Sequence, residues 1–167
     1  MIGPMASGKS IIGKKLSEAL GIDFIDTDKE IERNAGADIS WIFEIEGEEG
    51  FRKREMRTLN EISKKENCVI ATGGGSVIQK KNREIMTSRG KIVYLEISIE
   101  KQLERTLKDK SRPLLRKGNK EETLRSIKKT RDPLYEEIAD ITIKQEEKSH
   151  SKIVLEIVNK LKIQDYE

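Results

Sequence analysis

Residues 3–10, GPMASGKS, decide how the rest of this 167-residue chain is read. Gly3, Gly8, Lys9 and Ser10 satisfy the spacing GxxxxGK followed by Ser or Thr, which has a physical rationale. Glycines let the backbone curl until successive N–H groups face one point, and the helix that follows adds its positive end. Such a turn binds nucleotide phosphates. Gly3, Pro4, Met5, Ala6, Ser7, Gly8, Lys9, Ser10 and Ile11 are therefore the candidate nucleotide contacts. Lys9 is placed to meet the outer phosphates as a point charge, and the Ser10 hydroxyl to ligate Mg²⁺. A helical pattern begins at the lysine, with Ile12, Leu16, Ala19 and Leu20 on one stripe and Gly21 as a stop. Only Met1 and Ile2 precede the loop, where a buried strand ordinarily leads into it. The chain is expected either to begin inside its own central strand or to manage with a very short one; a missing central strand would leave its neighbours without partners, so low stability is expected.

Working outward, extended and helical signals alternate, which predicts an α/β fold with a mainly parallel sheet. IDFID (22–26), CVIAT (68–72), KIVYLEI (91–97) and ADITIK read as strands. From about Asp28 to Glu66 a long helical stretch is punctuated by Gly36, Gly47 and Gly50, which predicts three helices. QKKNREIMTSRG reads as a connecting helix ending at Gly90, and residues 99–108 as a further helix. EETLRSIKKTRDPLYEEIA reads as a helix interrupted or bent at Pro133, and SHSKIVLEIVNKLK as an amphipathic closing helix. Two polar segments, around 30–62 and 110–120, look added to a minimal sheet.

Composition bounds the partners. Lys plus Arg number 33 and Asp plus Glu 30, so a net charge of +3 gives little reason to expect nucleic acid. No apolar run approaches the roughly 18 residues of a membrane span, and a cytoplasmic, soluble protein is expected. One cysteine, Cys68, excludes an internal disulfide and a cysteine metal cage, and its apolar setting predicts a buried thiol. The single histidine, His150, reads as a solvated residue near a helix start.

Ligands of open parallel sheets gather at the carboxyl ends of the strands. There stand Asp26, Thr27 and Asp28 after IDFID, and Gly73, Gly74 and Gly75 after CVIAT. Two carboxylates beside a triphosphate suit a magnesium shell and a group that orients or deprotonates a hydroxyl, although DTDKE reads equally well as a helix cap. Three glycines let backbone N–H groups approach a ligand closely, or simply make a turn. Arg52 and Arg131 lie on expected helices, where most arginines are solvated. Arg112 sits in the loop segment SRPLL, suited to a lid that delivers a cation, or to solvent.

In order, GPMASGKS, DTDKEIE, EGEEGFRKRE, TGGG, RPLL and TRDPLY resemble the shikimate kinases, from Gly3 to about Lys162. The resemblance implies one domain over residues 1–167: a three-layer fold with a five-stranded parallel sheet flanked by helices, a substrate-binding insertion at about 30–62 and a lid at about 110–120. It implies transfer of a phosphoryl group from ATP, with Mg²⁺, to the 3-hydroxyl of shikimate in aromatic amino-acid biosynthesis, by a monomer that takes no nucleic acid or membrane. Carried over, it assigns the substrate carboxylate to Arg52 and Arg131 with backbone help from Gly73, Gly74 and Gly75. Asp28 becomes the orienting group or base, Asp26 joins Ser10 at the metal, and Lys9 and Arg112 neutralise the transferring group. Arg105 and Arg112 flank adenine, while Glu55 holds substrate or its arginines. Position 6 is Ala where the family usually has Gly, and position 11 is Ile where Thr is common. The rival expectations are a kinase of another small hydroxy acid such as gluconate, and a nucleotide-binding relative without turnover.

Overall fold

The computed structural model describes residues 1–107, 119–145 and 148–164. Within them the order is α1 (Lys9–Leu20), β1 (Asp23–Asp26), α2 (Thr27–Ala35), α3 (Ile39–Ile62), β2 (Cys68–Ala71), α4 (Lys80–Arg89), β3 (Val93–Glu96), α5 (Ile99–Leu107), α6 (Lys120–Ile138), β4 (Ile141–Lys144) and α7 (His150–Gln164). The alternation expected from the hydrophobic periods is present. Each strand is shorter than the apolar run that announced it, since only four residues of each run find ladder partners.

The strands form two parallel pairs. Asp23 to Asp26 of β1 run beside Cys68 to Ala71 of β2, and Val93 to Glu96 of β3 beside Ile141 to Lys144 of β4. Met1 and Ile2 lie between the pairs. Met1 donates its amino group to the Ile70 carbonyl (2.6 Å), and its own carbonyl accepts from Thr72 N (3.1 Å). Ile2 N donates to Val93 O and Ile2 O accepts from Leu95 N, both at 2.9 Å, so Ile2 bridges to Tyr94 in the parallel sense. Two residues thus hold the pairs together and lead straight into Gly3.

Period-two alternation distributes the apolar side chains to two faces. Met1, Val69, Val93, Leu95, Ile141 and Ile143 pack with Ile12 and Leu16 of α1 and Ile153 and Ile157 of α7. Ile2, Ile25 and Tyr94 turn the other way and pack with Leu59 and Ile62 of α3, Met86 of α4, and Tyr135 and Ile138 of α6. Helices therefore cover both faces, and the carboxyl ends of β1, β2 and β3 lie beside the phosphate loop.

Several local expectations are corrected. Gly36 caps α2 with φ 65° and Gly47 breaks α3 with φ 68°, but Gly50 stays helical, so two glycines rather than three punctuate the insertion. The helix α6 runs through Pro133 without interruption. Cys68, first in β2, is only half-buried and donates to the Lys65 carbonyl. Of the 110–120 segment only residues 119 and 120 are described, so Arg112 lies outside the described residues. Among the described residues no helix is long and apolar enough to cross a membrane.

Candidate active site

The turn from Gly3 to Gly8 joins the bridging residues to α1. Gly3 has φ 145°, and a Cβ there would lie 2.6 Å from the Leu95 carbonyl, so this crossing over β3 admits only glycine. Gly8 (φ 83°) caps α1, and Ala6 (φ 61°) also sits in the left-handed region, which costs a residue with a Cβ about 1 kcal/mol. Lys9 opens the helix. Its ammonium donates at 2.8 Å to the carbonyls of both Gly3 and Pro4 and at 3.3 Å to the Ser7 hydroxyl. The loop is thereby wound around the lysine, with the positive end of α1 behind it.

Asp26 takes the helix-cap reading of DTDKE and also meets the phosphate loop. One carboxylate oxygen caps α2 by accepting from Asp28 N (3.0 Å) and Lys29 N (3.3 Å), and the other accepts the Ser10 hydroxyl at 2.5 Å. Thr27 ties β1 to β2: its hydroxyl donates to Ala71 O (3.2 Å) and accepts Gly73 N (3.0 Å), which brings the triple glycine to the first turn of α2.

Each of the three glycines answers a different neighbour. A Cβ at Gly73 would lie 2.9 Å from both Asp28 Oδ1 and Glu55 Oε1, and one at Gly74 would lie 3.2 Å from Met5 N of the phosphate loop. At Gly75 it would collide with the Arg52 guanidinium. Arg52, which most helical arginines on so charged a surface would leave in water, is 8% exposed. It donates to Glu55 (2.8 Å) and Glu48 (3.1 Å), and its carbon lies 5.2 Å from the Phe51 ring centre. Burial acts to lower the Arg52 pKa, but the two carboxylates outweigh it and raise the value above its ordinary range. Glu55, 1% exposed, also accepts the Ser76 hydroxyl at 2.7 Å, so it fixes the arginine from behind.

Two cavities meet here. One, of about 400 Å³, is lined by Met5, Ala6, Gly8, Lys9, Ser10, Ile11, Asp26, Asp28, Thr72, Gly74, Arg105 and His150. The other, of about 100 Å³, is lined by Met5, Asp28, Ile39, Phe43, Phe51, Arg52, Glu55, Gly73, Gly74, Gly75 and Arg131. Met5, Asp28 and Gly74 belong to both. Arg52 and Arg131, distant in sequence, converge on the smaller one, while the residues of the nucleotide motif line the larger. The hard oxygen pair of Ser10 and Asp26 and the glycine cradle suit a magnesium-bound triphosphate.

Four contributors escaped the sequence reading. Gln102 and Gln145 grip the phosphate loop from behind, with Met5 O accepting at 3.0 Å and Ser7 O at 2.6 Å. Periodicity held a signal for each: Gln102 lies one turn after Ile99, and Gln145 continues the inward set Ile141, Ile143. His150 opens α7 as expected but is half-buried and lines the larger cavity. Tyr135, stacked on Tyr94, donates its hydroxyl to Gly74 O at 2.5 Å and so anchors the glycine turn. Arg105 donates to Ala6 O (2.9 Å) and to Gln145 Oε1 (3.2 Å) at the rim.

A helix-heading phosphate loop at the carboxyl ends of parallel strands, with helices on both faces, defines a P-loop α/β protein. A family model for shikimate kinase matches residues 5–162. The shikimate kinase of Actinobacillus pleuropneumoniae serotype 5b (strain L20) is 52% identical over 158 residues, covering 95% of this chain and 91% of that protein. That of Histophilus somni (strain 2336) is 49% identical over 167 residues, covering 98% and 95%. Among solved structures, shikimate kinase from Acinetobacter baumannii in complex with shikimate superposes with a TM-score of 0.94 at 47% identity, covering 98% of this chain and 91% of that one. The enzyme from Aquifex aeolicus gives 0.84 at 41% identity, covering 96% and 94%. The chain belongs to the shikimate kinase family.

Proposed function

We propose that this enzyme moves the terminal phosphoryl group of ATP to the 3-hydroxyl of shikimate, giving shikimate 3-phosphate and ADP. The observation that carries the reading is the junction of the two cavities at Asp28: a phosphate cradle opens on one side and a buried arginine pair on the other. Arg52 and Arg131 hold the shikimate carboxylate as bidentate forks, aided by Gly73, Gly74 and Gly75. Asp28 hydrogen-bonds the hydroxyl, orients it and can take its proton as the new P–O bond forms and the bond to ADP breaks. Lys9 and Arg112 offset charge on the transferring group, the backbone from Gly3 to Ile11 cradles the phosphates, and Arg105 and Arg112 flank adenine. Ser10 and Asp26 hold Mg²⁺, which, when bound, neutralises the phosphate oxygens.

The same reading makes residues 1–167 one cytoplasmic, monomeric domain with its substrate-binding insertion at about 30–62 and a lid at about 110–120. It also treats Met1 and Ile2 as the first strand of a five-stranded sheet, a view supported by their hydrogen bonds to Ile70, Thr72, Val93 and Leu95.

A coupled assay of ADP release with ATP, Mg²⁺ and shikimate, run in parallel with gluconate, tests the substrate. Release with shikimate well above that with gluconate is the expected result. A folded sample that releases no ADP with shikimate, or that prefers gluconate, refutes it.

A further inference from the structure

The phosphate loop is held by its carbonyl side. Five consecutive carbonyls each accept a side-chain donor: Gly3 and Pro4 from Lys9, Met5 from Gln102, Ala6 from Arg105 and Ser7 from Gln145. Gln102 and Gln145 are 1% and 4% exposed, come from α5 and the position just after β4, and have no part in the cavity contacts described above. In a trans peptide the N–H of one residue points opposite to the carbonyl of the residue before it. Pinning Met5 O backward therefore turns Ala6 N–H toward the phosphate cavity, and pinning Ser7 O does the same for Gly8 N–H. Ser7 N–H, between them, is used inside the loop on Pro4 O at 3.3 Å.

From this geometry we infer that Gln102 and Gln145 are positioning residues, whose buried amides fix the loop's N–H groups in the direction that receives the β and γ phosphates. The reason is energetic. A loop with left-handed residues at Ala6 and Gly8 has other conformations within reach, and each that rotates a peptide away loses a phosphate contact. An amide donor in a dry setting prevents that rotation, because releasing it leaves both the amide and a carbonyl without partners. Gln145 is locked in turn: its Oε1 accepts Arg105, its backbone N donates to Glu96 O (3.1 Å), and its carbonyl accepts Lys101 Nζ (3.2 Å). The ends of β3 and β4 and the helix α5 thus set the loop's orientation.

The test uses Gln102→Met and Gln145→Met, which keep the length of the side chain and remove the donor. Binding of ADP and of inorganic pyrophosphate is measured by calorimetry, beside the KM for shikimate and the thermal midpoint. This rests on the reading above only for the shikimate arm, so a wrong substrate assignment leaves the nucleotide arm decisive. Each variant is expected to weaken ADP and pyrophosphate alike, by about tenfold, the loss of one hydrogen bond's contribution. The KM for shikimate should stay within about twofold. Three results overturn the inference: unchanged ADP and pyrophosphate affinity, a loss for ADP alone, which marks an adenine contact, or equal losses for pyrophosphate and shikimate, which mark general loosening. If the methionine variants do not fold, Gln102→Glu and Gln145→Glu, which present an acceptor to the same carbonyl, are read by the same criteria.

Discussion

Lys9 stands where the chemistry of the loop concentrates: at the first turn of α1, touching three groups of the loop with one ammonium. Charge delivered to a transferring phosphoryl group acts mainly on the transition state, so Lys9→Ala is expected to lower kcat by at least about a hundredfold. Glu55 acts through Arg52 and Ser76, and Glu55→Gln should cost less turnover than Lys9→Ala; steady-state kinetics on the pair decides the order. Gly75 gives a sharper separation. Its φ is not unusual, so the penalty for Gly75→Ala is purely one of space against the Arg52 guanidinium. The KM for shikimate should rise about tenfold or more with ADP affinity unchanged, and equal losses on both sides would refute the assignment of Arg52 to the substrate pocket.

At the scale of elements, the strands and helices were legible because each carries a clean period, and the loop because its spacing is tied to backbone geometry. Gln102 and Gln145 were not singled out, since a buried glutamine looks like a solvated one until its acceptor is known, and the acceptors are 97 and 138 residues away in sequence. The burial of Arg52 and Arg131 was equally invisible without the resemblance, because it depends on α3 and α6 closing on the glycine turn. The junction of the strand pairs yields a stability prediction. A groove of about 550 Å³ runs on from Met1, lined by Cys68, Ile70, Met86 and Ile92 among others. On the reading of Met1 and Ile2 as the first strand, about five apolar residues added before Met1 should lengthen it along this groove and raise the thermal midpoint by at least about 5 °C. No gain in a differential scanning experiment would sink that reading.

For the whole molecule, the stacked pair Tyr94 and Tyr135 lies at the centre, their rings 5.0 Å apart, each with no exposed surface. Burial, the leading cause, pushes both phenols above their ordinary value of 10. Their folded values exceed the unfolded one, so the stability they contribute is complete below pH 10 and is lost as the pH rises past it. Urea midpoints should fall steeply in that range, and a spectrophotometric titration should show both phenols ionising only as the chain unfolds; free titration of both in the folded state would contradict this. Trp41 occupies the first turn of α3, its backbone N–H donating to the Asp38 carboxylate at 2.8 Å and half its surface in solvent. Ile39 and Phe43, two residues to either side, line the cavity of Arg52 and Arg131. Trp41 is the chain's one tryptophan, so emission excited at the red edge of the band, where the three tyrosines hardly absorb, comes from a single indole on the helical turn whose other residues line that cavity. A quench or colour shift of that emission on adding a small acid reports a change in the surroundings of this one turn, without an attached label.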